Sequence, residues 1–314
     1  MAILITGGAG FIGAELVKEF LGRGEEIVIF DKEIPEPLFA GEKKVIKVKG
    51  DITNLPEVLN AVERHEVDTI FHLAAILSAV SEANPWASVN INGMGTFHVL
   101  EAARLFHVKK VLFSSSMGSY TVNRETVVTE ETKQRPVLMY GVTKVFGELL
   151  GLYYHRKFGI DFRGIRFPQL IGPNAKTFGF GQYHPWLIEA AIKGKAFDVW
   201  APEDTILPLL YIKDAIRSFI MLYDAPESNL VTRVYNLGQI MPPPTAGDLV
   251  EVVKRYYPDA EIHFKPDPNA AIGLATIPKI IKGDEAEKEW GWRVMYSLED
   301  TVRDFIEEYK KTLP

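Results

Sequence analysis

Tyr140 and Lys144 stand four residues apart in MYGVTKVFGELLGLYYHRKFG (139–159), a stretch with helical patterning. That spacing puts both side chains on one helix face. An unperturbed tyrosine, with a pKa of about 10, is a poor base at neutral pH. A neighbouring ammonium, and a positive nicotinamide ring beyond it, would favour the phenolate and draw that pKa towards the working range. Upstream, SSSMGSY (114–120) ends an apolar run, and a serine there would supply a hydroxyl to steady a substrate oxygen. The chemistry on offer is proton removal from an alcohol.

A second constellation supplies the other half of such a reaction. TGGAGFIG (6–13) places Gly7, Gly10 and Gly13 between a strand-like run and a helical one, the context in which this spacing holds a dinucleotide. One glycine allows the tight turn, one admits the pyrophosphate and one lets helix pack on strand, with the phosphates on the helix N-terminus. The next apolar run ends in Asp31, whose carboxylate can accept both adenosine ribose hydroxyls and repel a 2′-phosphate. That favours NAD, while the adjacent Lys32 keeps NADP open. Asp51, in KGDIT, either receives the adenine amine or caps a helix beginning at Leu55.

These groups need a scaffold. AILIT (2–6), EIVIF (26–30), KKVIKVKG (43–50), DTIFHLAA (68–75) and KKVLFSSS (109–116) read as strands. Between them AGFIGAELVKEFLGRG, LPEVLNAVERH and VNINGMGTFHVLEAARLF have helical spacing. Apolar strands alternating with helices define an α/β fold, a Rossmann-type doubly wound parallel sheet. From about residue 167 the alternation loosens into aromatic loops, which suggests a smaller, mostly C-terminal substrate-binding region. The expected division is 1–167 plus about 207–240 for the cofactor, with 168–206 and 241–314 for the substrate.

Composition narrows the class further. A net charge of −6 gives no reason to expect nucleic-acid or anionic-membrane binding. No apolar run is long enough for a membrane span. Cysteine is absent, which excludes disulfides and thiolate chemistry and fits a cytoplasmic protein. No cluster has metal-ligand spacing, so no metal is expected.

Together TGGAGFIG, Asp31, GDIT, HLAA, NGMGT, SSS, the Tyr140/Lys144 pair and RFPQLIGP resemble the extended short-chain dehydrogenases/reductases, the NAD-dependent epimerase/dehydratase family, in order and over essentially the full length. The resemblance implies a catalytic set of Ser116, Tyr140 and Lys144. It implies a cofactor site running from Gly7, Gly10, Phe11, Ile12 and Gly13 through Asp31, Lys32, Asp51 and Ile52. Leu73, Ala74 and Ala75 would pass the cofactor by backbone contacts, with Asn92 supporting the sheet or a proton-relay water. Ser114 would join Tyr140 and Lys144, and Pro168 would lie beside the nicotinamide. A homodimer is also implied, paired through apolar faces around VLEAARLF and VFGELLGLYY, unless those faces pack inside one subunit.

Nucleotide-sugar members of the family carry two arginines that clamp a diphosphate. LIGPNAKTFG and APEDTILPLLYIKDA offer none at those places, and Leu209 or a neighbour stands where the second would be. AAILSAVSEANPWASVNINGMGTFHVLEAAR, YGVTKVFGELLGLYYHRKFGIDFRGIRFPQLI, YNLG and EWGW are more similar to the short-chain-type L-threonine 3-dehydrogenase branch. That branch implies hydride removal from a secondary carbinol of a small non-nucleotide substrate by NAD. The substrate contacts expected are Ser78, Ser116, Tyr140, Gln169, Phe180 and Tyr183; a nucleotide-sugar epimerase or dehydratase is the alternative. The chain departs from the branch at Phe180 and Gly181, where threonines are expected, and near Asn269 and Ile277, where an arginine and a tryptophan are expected. Phe178, Phe180, His184 and Trp186 therefore suggest either a less polar pocket or a packed loop.

Overall fold

The computed structural model describes residues 2–120, 127–175 and 182–313, apart from the side chain of Ile272. Strands β1 (Ala2–Thr6) and β2 (Ile27–Asp31) flank helix α1 (Phe11–Gly22); β3 (Val45–Lys49), α2 (Leu55–Arg64) and β4 (Val67–His72) follow. Short helices α3 (Ser78–Ala83) and α4 (Pro85–Ser88) enter a π-helical turn, Val89–Met94, that continues as α5 (Gly95–Leu105). Next come β5 (Lys110–Ser116), β6 (Val127–Val128), α6 (Met139–Phe158), β7 (Asp161–Phe167) and β8 (Gln169–Ile171). The remainder holds α7 (His184–Ile192), β9 (Phe197–Val199), β10 (Leu209–Tyr211), α8 (Ile212–Asp224), β11 (Val234–Asn236) and α9 (Ala246–Tyr256). The chain finishes with β12 (Ile262–Phe264), α10 (Pro268–Ala275), β13 (Ile280–Ile281), α11 (Asp284–Trp290) and α12 (Leu298–Lys310).

Seven strands form one parallel sheet in the order β3-β2-β1-β4-β5-β7-β11. Alternation along the strands shows why it is covered twice. Ile3 and Ile5 of β1 and Ile27 and Ile29 of β2 face one core, while Ala2, Leu4, Val28 and Phe30 face the other. Helix α1 buries Leu16, Val17 and Phe20, one stripe at helical spacing, on the first face. α8 joins it there through Phe219, whose ring lies 5.7 Å from Phe71 and 5.1 Å from Phe167. The second face is covered by α2, α5 and α6. This is a Rossmann-type doubly wound fold.

Order β2-β1-β4 reverses the winding at β1, and the crevice outside the strand ends at such a switch is where α/β sheets take ligands. Beyond the sheet, β8 pairs with β10, β9 with β12 and β6 with β13. One helix differs from the sequence reading. VNINGMGTFHVLEAARLF is not one continuous α-helix but opens with the π-helical turn, and Asn92 in that turn directs its amide to Ile76. No helix among the described residues is long and apolar enough to cross a membrane, and no group of metal-ligating side chains occurs among them.

Candidate active site

The glycine loop is shaped by backbone approach. Gly7 has φ +71°, the left-handed region, and a Cβ there would lie 2.8 Å from the Ala74 nitrogen. A Cβ at Gly13 would fall 2.2 Å from the Gly7 oxygen, so α1 can meet the loop only as glycine. Gly10 occupies the N-cap of α1 and makes no side-chain cap, which leaves the helix N-terminus for an anion. The Asp31 carboxylate accepts the Ala9 N–H at 3.1 Å and so ties the end of β2 to this loop.

Asp51 does not cap α2; Asn54 occupies that position. Its Oδ1 instead accepts the Thr53 N–H at 2.9 Å and the Thr53 hydroxyl at 2.8 Å, and its Oδ2 lies 3.2 Å from Lys32 Nζ. The Thr53 backbone bond, above all, holds the Asp51 carboxyl below its usual range. Lys32 is thereby paired with Asp51.

Behind the loop runs a chain of neutral groups. Thr96 spends its hydroxyl proton on the Asn92 carbonyl at 2.6 Å, so His72 Nε2, 2.9 Å away, must be the donor of that pair. His72 Nδ1 then accepts from Thr6 Oγ1 at 2.7 Å, which in turn accepts the N–H groups of Leu73 and Ala74 at 3.3 and 3.4 Å. Burial, followed by the charge of Lys144, pushes the His72 pKa down to about 3, so the ring is neutral. Asn92 grips Ile76 from both sides, accepting its N–H and donating to its carbonyl, and also donates to Thr143. It fixes the β4–α3 connection against α6 and does not itself line the cavity.

Helix α6 brings the second constellation to the same crevice. Tyr140, Lys144, Gly147, Glu148 and Gly151 recur at helical spacing on its sheet side. A Cβ at Gly151 would lie 2.1 Å from the Phe162 ring, and one at Gly141 would lie 2.0 Å from the Gly118 oxygen. The Gly141 approach presses the first turn of α6 onto the turn after β5, and the Gly151 approach seats its later part on β7. Ser116 Oγ accepts the Gly118 N–H at 3.1 Å, which leaves its own proton for the Tyr140 oxygen, its hydrogen-bond partner. Lys144 is buried; its ammonium donates to the Ser114 carbonyl at 2.6 Å and lies 5.4 Å from the Tyr140 ring centre.

One expectation is corrected here. Burial of the phenol itself pushes the Tyr140 pKa up to about 12, with the Ser116 hydrogen bond pulling the other way. Lys144 is also shifted: its own burial draws it down to about 8 against the raising influence of Glu148, and its ammonium donates to Ser114.

A cavity of about 520 Å³ joins these pieces. Its wall runs from Gly7, Gly10, Phe11, Ile12 and Gly13 past Asp31, Lys32, Asp51 and Ile52 to Leu73, Ala74 and Ala75. It continues over Ser114, Ser116, Tyr140, Pro168 and Gln169, and takes in Ser78, the first residue of α3. Leu77, not Ser78, holds that helix's N-cap. Sequence reasoning missed Val137, Leu138, Gln182, Gly273, Thr276 and Pro278 as lining residues, and did not place Ile277 there. Val137 and Leu138 directly precede the Tyr140 stretch, a signal that could have found them; Gly273 to Pro278 come from a distant connection that only the tertiary fold brings over the crevice.

Tyr183 is not on this wall. It is fully buried, its ring 5.5 Å from Trp200, and burial moves its phenol upward; Gln182 faces the cavity instead. Phe178 and Phe180 lie outside the described residues. Trp186 packs away from the cavity and donates its indole N–H to the Ala175 carbonyl at 2.6 Å.

His184 is not a surface residue: it is fully buried, and neither ring nitrogen has a partner among the described residues. Burial pushes its pKa to about 3, like that of His72. Both are depressed below the unfolded value of about 6.5, so the unfolded chain binds more protons between the two values. Their contribution to stability is therefore full above about pH 6.5 and is lost as pH falls towards 3. Replacing His184 with Leu should flatten this acid loss in denaturant titrations from pH 7 to 4 while leaving neutral stability unchanged or higher. An unchanged acid slope would show that His184 is not buried neutral.

The chain belongs to the NAD-dependent epimerase/dehydratase family, whose model matches residues 3–238. Within it the protein is an enzyme of the extended short-chain dehydrogenase/reductase type, using a nicotinamide cofactor. It is 34% identical over 307 residues to an uncharacterised epimerase/dehydratase of Staphylococcus haemolyticus, covering 94% of this chain and 93% of that one. It is 30% identical over 309 residues to the mitochondrial L-threonine 3-dehydrogenase of Bos taurus, covering 97% of this chain and 81% of the relative. Among solved structures, L-threonine dehydrogenase of Clostridium difficile superposes with a TM-score of 0.90 at 32% identity, covering 99% of this chain and 98% of that chain.

Proposed function

We propose that this enzyme oxidises a secondary alcohol on a small substrate that carries no nucleotide, in the manner of an L-threonine 3-dehydrogenase, with NAD as the cofactor. The observation that carries the reading is the Ser116–Tyr140 pair on the cavity wall with the Lys144 ammonium buried beside it. With substrate bound, Ser116 turns its hydroxyl proton from Tyr140 to the substrate oxygen and orients it. Tyr140 takes the hydroxyl proton. Lys144 steadies the phenolate that accepts it, and the Ser114 carbonyl holds Lys144 in place.

The glycine cradle and the uncapped α1 N-terminus fit a dinucleotide pyrophosphate. Asp31 fits a free ribose diol, and the Lys32–Asp51 pair removes a cation from a 2′-phosphate, which favours NAD over NADP. When bound, the nicotinamide would supply the hydride acceptor. The strand–helix alternation of 1–167 with about 207–240 serves as the cofactor domain, and 168–206 with 241–314 as the substrate-binding region; the place of Gly273 to Pro278 on the cavity wall supports that division.

The test is NADH formation by the purified protein with secondary alcohols, hydroxy acids, L-threonine and UDP-glucose. NADH from a non-nucleotide alcohol supports the reading. Interconversion of UDP-glucose and UDP-galactose without net NADH overturns it.

A cytoplasmic homodimer completes the proposal. Val142, Phe146, Leu149 and Tyr153 form an exposed apolar stripe on α6, and Val89 and Met94 lie exposed on the neighbouring helix. Light scattering should give twice the chain mass, and Leu149→Lys, at a position 59% exposed, should give single chains without loss of helical content. A monomeric parent protein would remove this part of the proposal.

A further inference from the structure

The two ends of the cavity differ in charge. Among the described residues, the charged side chains on its wall are Asp31, Lys32 and Asp51, all at the end where β2 and β3 finish. Beyond Ser116 and Tyr140 the described residues of the wall are neutral: Ser78, Gln169, Gln182 and Thr276 offer hydroxyls and amides among Leu138, Leu170 and Ile277. An amino-acid zwitterion held there would bring two charges that no described side chain of that wall pairs, and burying an unpaired charge is far more costly than burying a hydroxyl.

Gln169 adds a positive requirement. It stands at the start of β8, directly after Pro168, and is 9% exposed. Its Oε1 is buried with no hydrogen-bond partner among the described residues. A buried acceptor of this kind is satisfied by a ligand that presents a donor.

We infer that the site takes an uncharged hydroxy compound bearing a second hydrogen-bond donor near its carbinol, such as a vicinal diol or a neutral sugar, and that Gln169 is the residue that reads this second donor. The inference rests on the alcohol-oxidising reading of the site. It makes L-threonine a poor substrate despite the likeness to L-threonine dehydrogenases.

The experiment compares steady-state NADH formation from 2,3-butanediol, a neutral aldose, 2-butanol and L-threonine, for the parent enzyme and Gln169→Leu. The parent enzyme is expected to favour the diol or aldose about tenfold or more in kcat/KM over both 2-butanol and L-threonine. In Gln169→Leu, kcat/KM for the favoured neutral substrate should fall about tenfold further than that for 2-butanol. NAD affinity, followed by fluorescence titration, checks that the variant is folded.

A preference for L-threonine overturns the inference and leaves the alcohol-oxidising reading intact. Equal losses on 2-butanol and the favoured substrate overturn the role of Gln169, because a residue that only fills space would give that result. NADH from none of the four, with NAD bound, overturns the inference together with the reading beneath it.

Discussion

Tyr140→Phe is expected to lower kcat by about 10²–10⁴-fold while leaving NAD affinity nearly unchanged. The substitution removes one oxygen, the atom to which Ser116 gives its proton and to which the substrate hydroxyl would give another. The ring stays, so the packing of α6 against the turn after β5 is kept, including the approach of Gly141 to Gly118. Steady-state kinetics and fluorescence titration with NAD separate the two effects. The high phenol pKa of about 12 gives the pH dependence its sign: turnover rises with pH as the phenolate becomes accessible. Above about pH 8 the rise levels off, because Lys144 then gives up its charge as fast as phenolate is gained. Full activity in Tyr140→Phe would mean that another group removes the proton.

Glu148→Ala should lower folding stability by about 3–5 kcal/mol, the usual cost of leaving a buried charge without its partner. Glu148 is 1% exposed and holds Arg166 by two bonds, Nε to Oε1 at 3.0 Å and Nη2 to Oε2 at 2.8 Å. The Ser115 hydroxyl and, at 2.6 Å, the Gln134 amide also donate to it. Arg166 continues the network to the Tyr120 oxygen at 2.7 Å. Urea unfolding of the single variant measures the loss, and the double variant Glu148→Leu/Arg166→Met should recover most of it, because no charge is then stranded. Glu148 also raises the Lys144 pKa, so the pH at which the rise in activity levels off should move lower in Glu148→Gln. A single variant as stable as the parent would show that water reaches Arg166.

Much of this was legible in the chain because it rests on local order. The first five strands and the glycine loop follow from apolar runs and from glycines whose spacing has a steric cause, as the approach of Gly13 to the Gly7 oxygen illustrates. Tyr140 and Lys144 are readable because four residues are one helical turn. The electrostatics were not readable. That Lys144 would give its ammonium to the Ser114 carbonyl, and that burial would raise Tyr140, depend on depth beneath the sheet edge. Tyr183 and Gln182 show a similar limit: adjacent in sequence, one enters the core and the other the cavity, and no pattern in that loop distinguishes them. Thr276 and Ile277 lie more than a hundred residues from Tyr140 and reach it only through the closing of the fold.

The far wall of the cavity hangs from very little. Gly273 to Pro278 are followed by β13, two residues paired with β6, and by two hydrogen bonds to the Gln239 side chain, from Ile281 N–H and to the Lys279 carbonyl. A small cluster of Met117, Tyr120, Val128 and Ile281, with Ile277 against it, anchors its far end, while Leu274 packs on the first of the two large cores. Substitutions at the wall positions Gly273, Thr276, Ile277 and Pro278 can therefore change what enters while Leu274 keeps the stretch tied to the core. Variation is tolerated more readily there than in the glycine loop, where backbone approaches leave no room for a Cβ, which makes those four positions the natural target for a mutational library of new substrates.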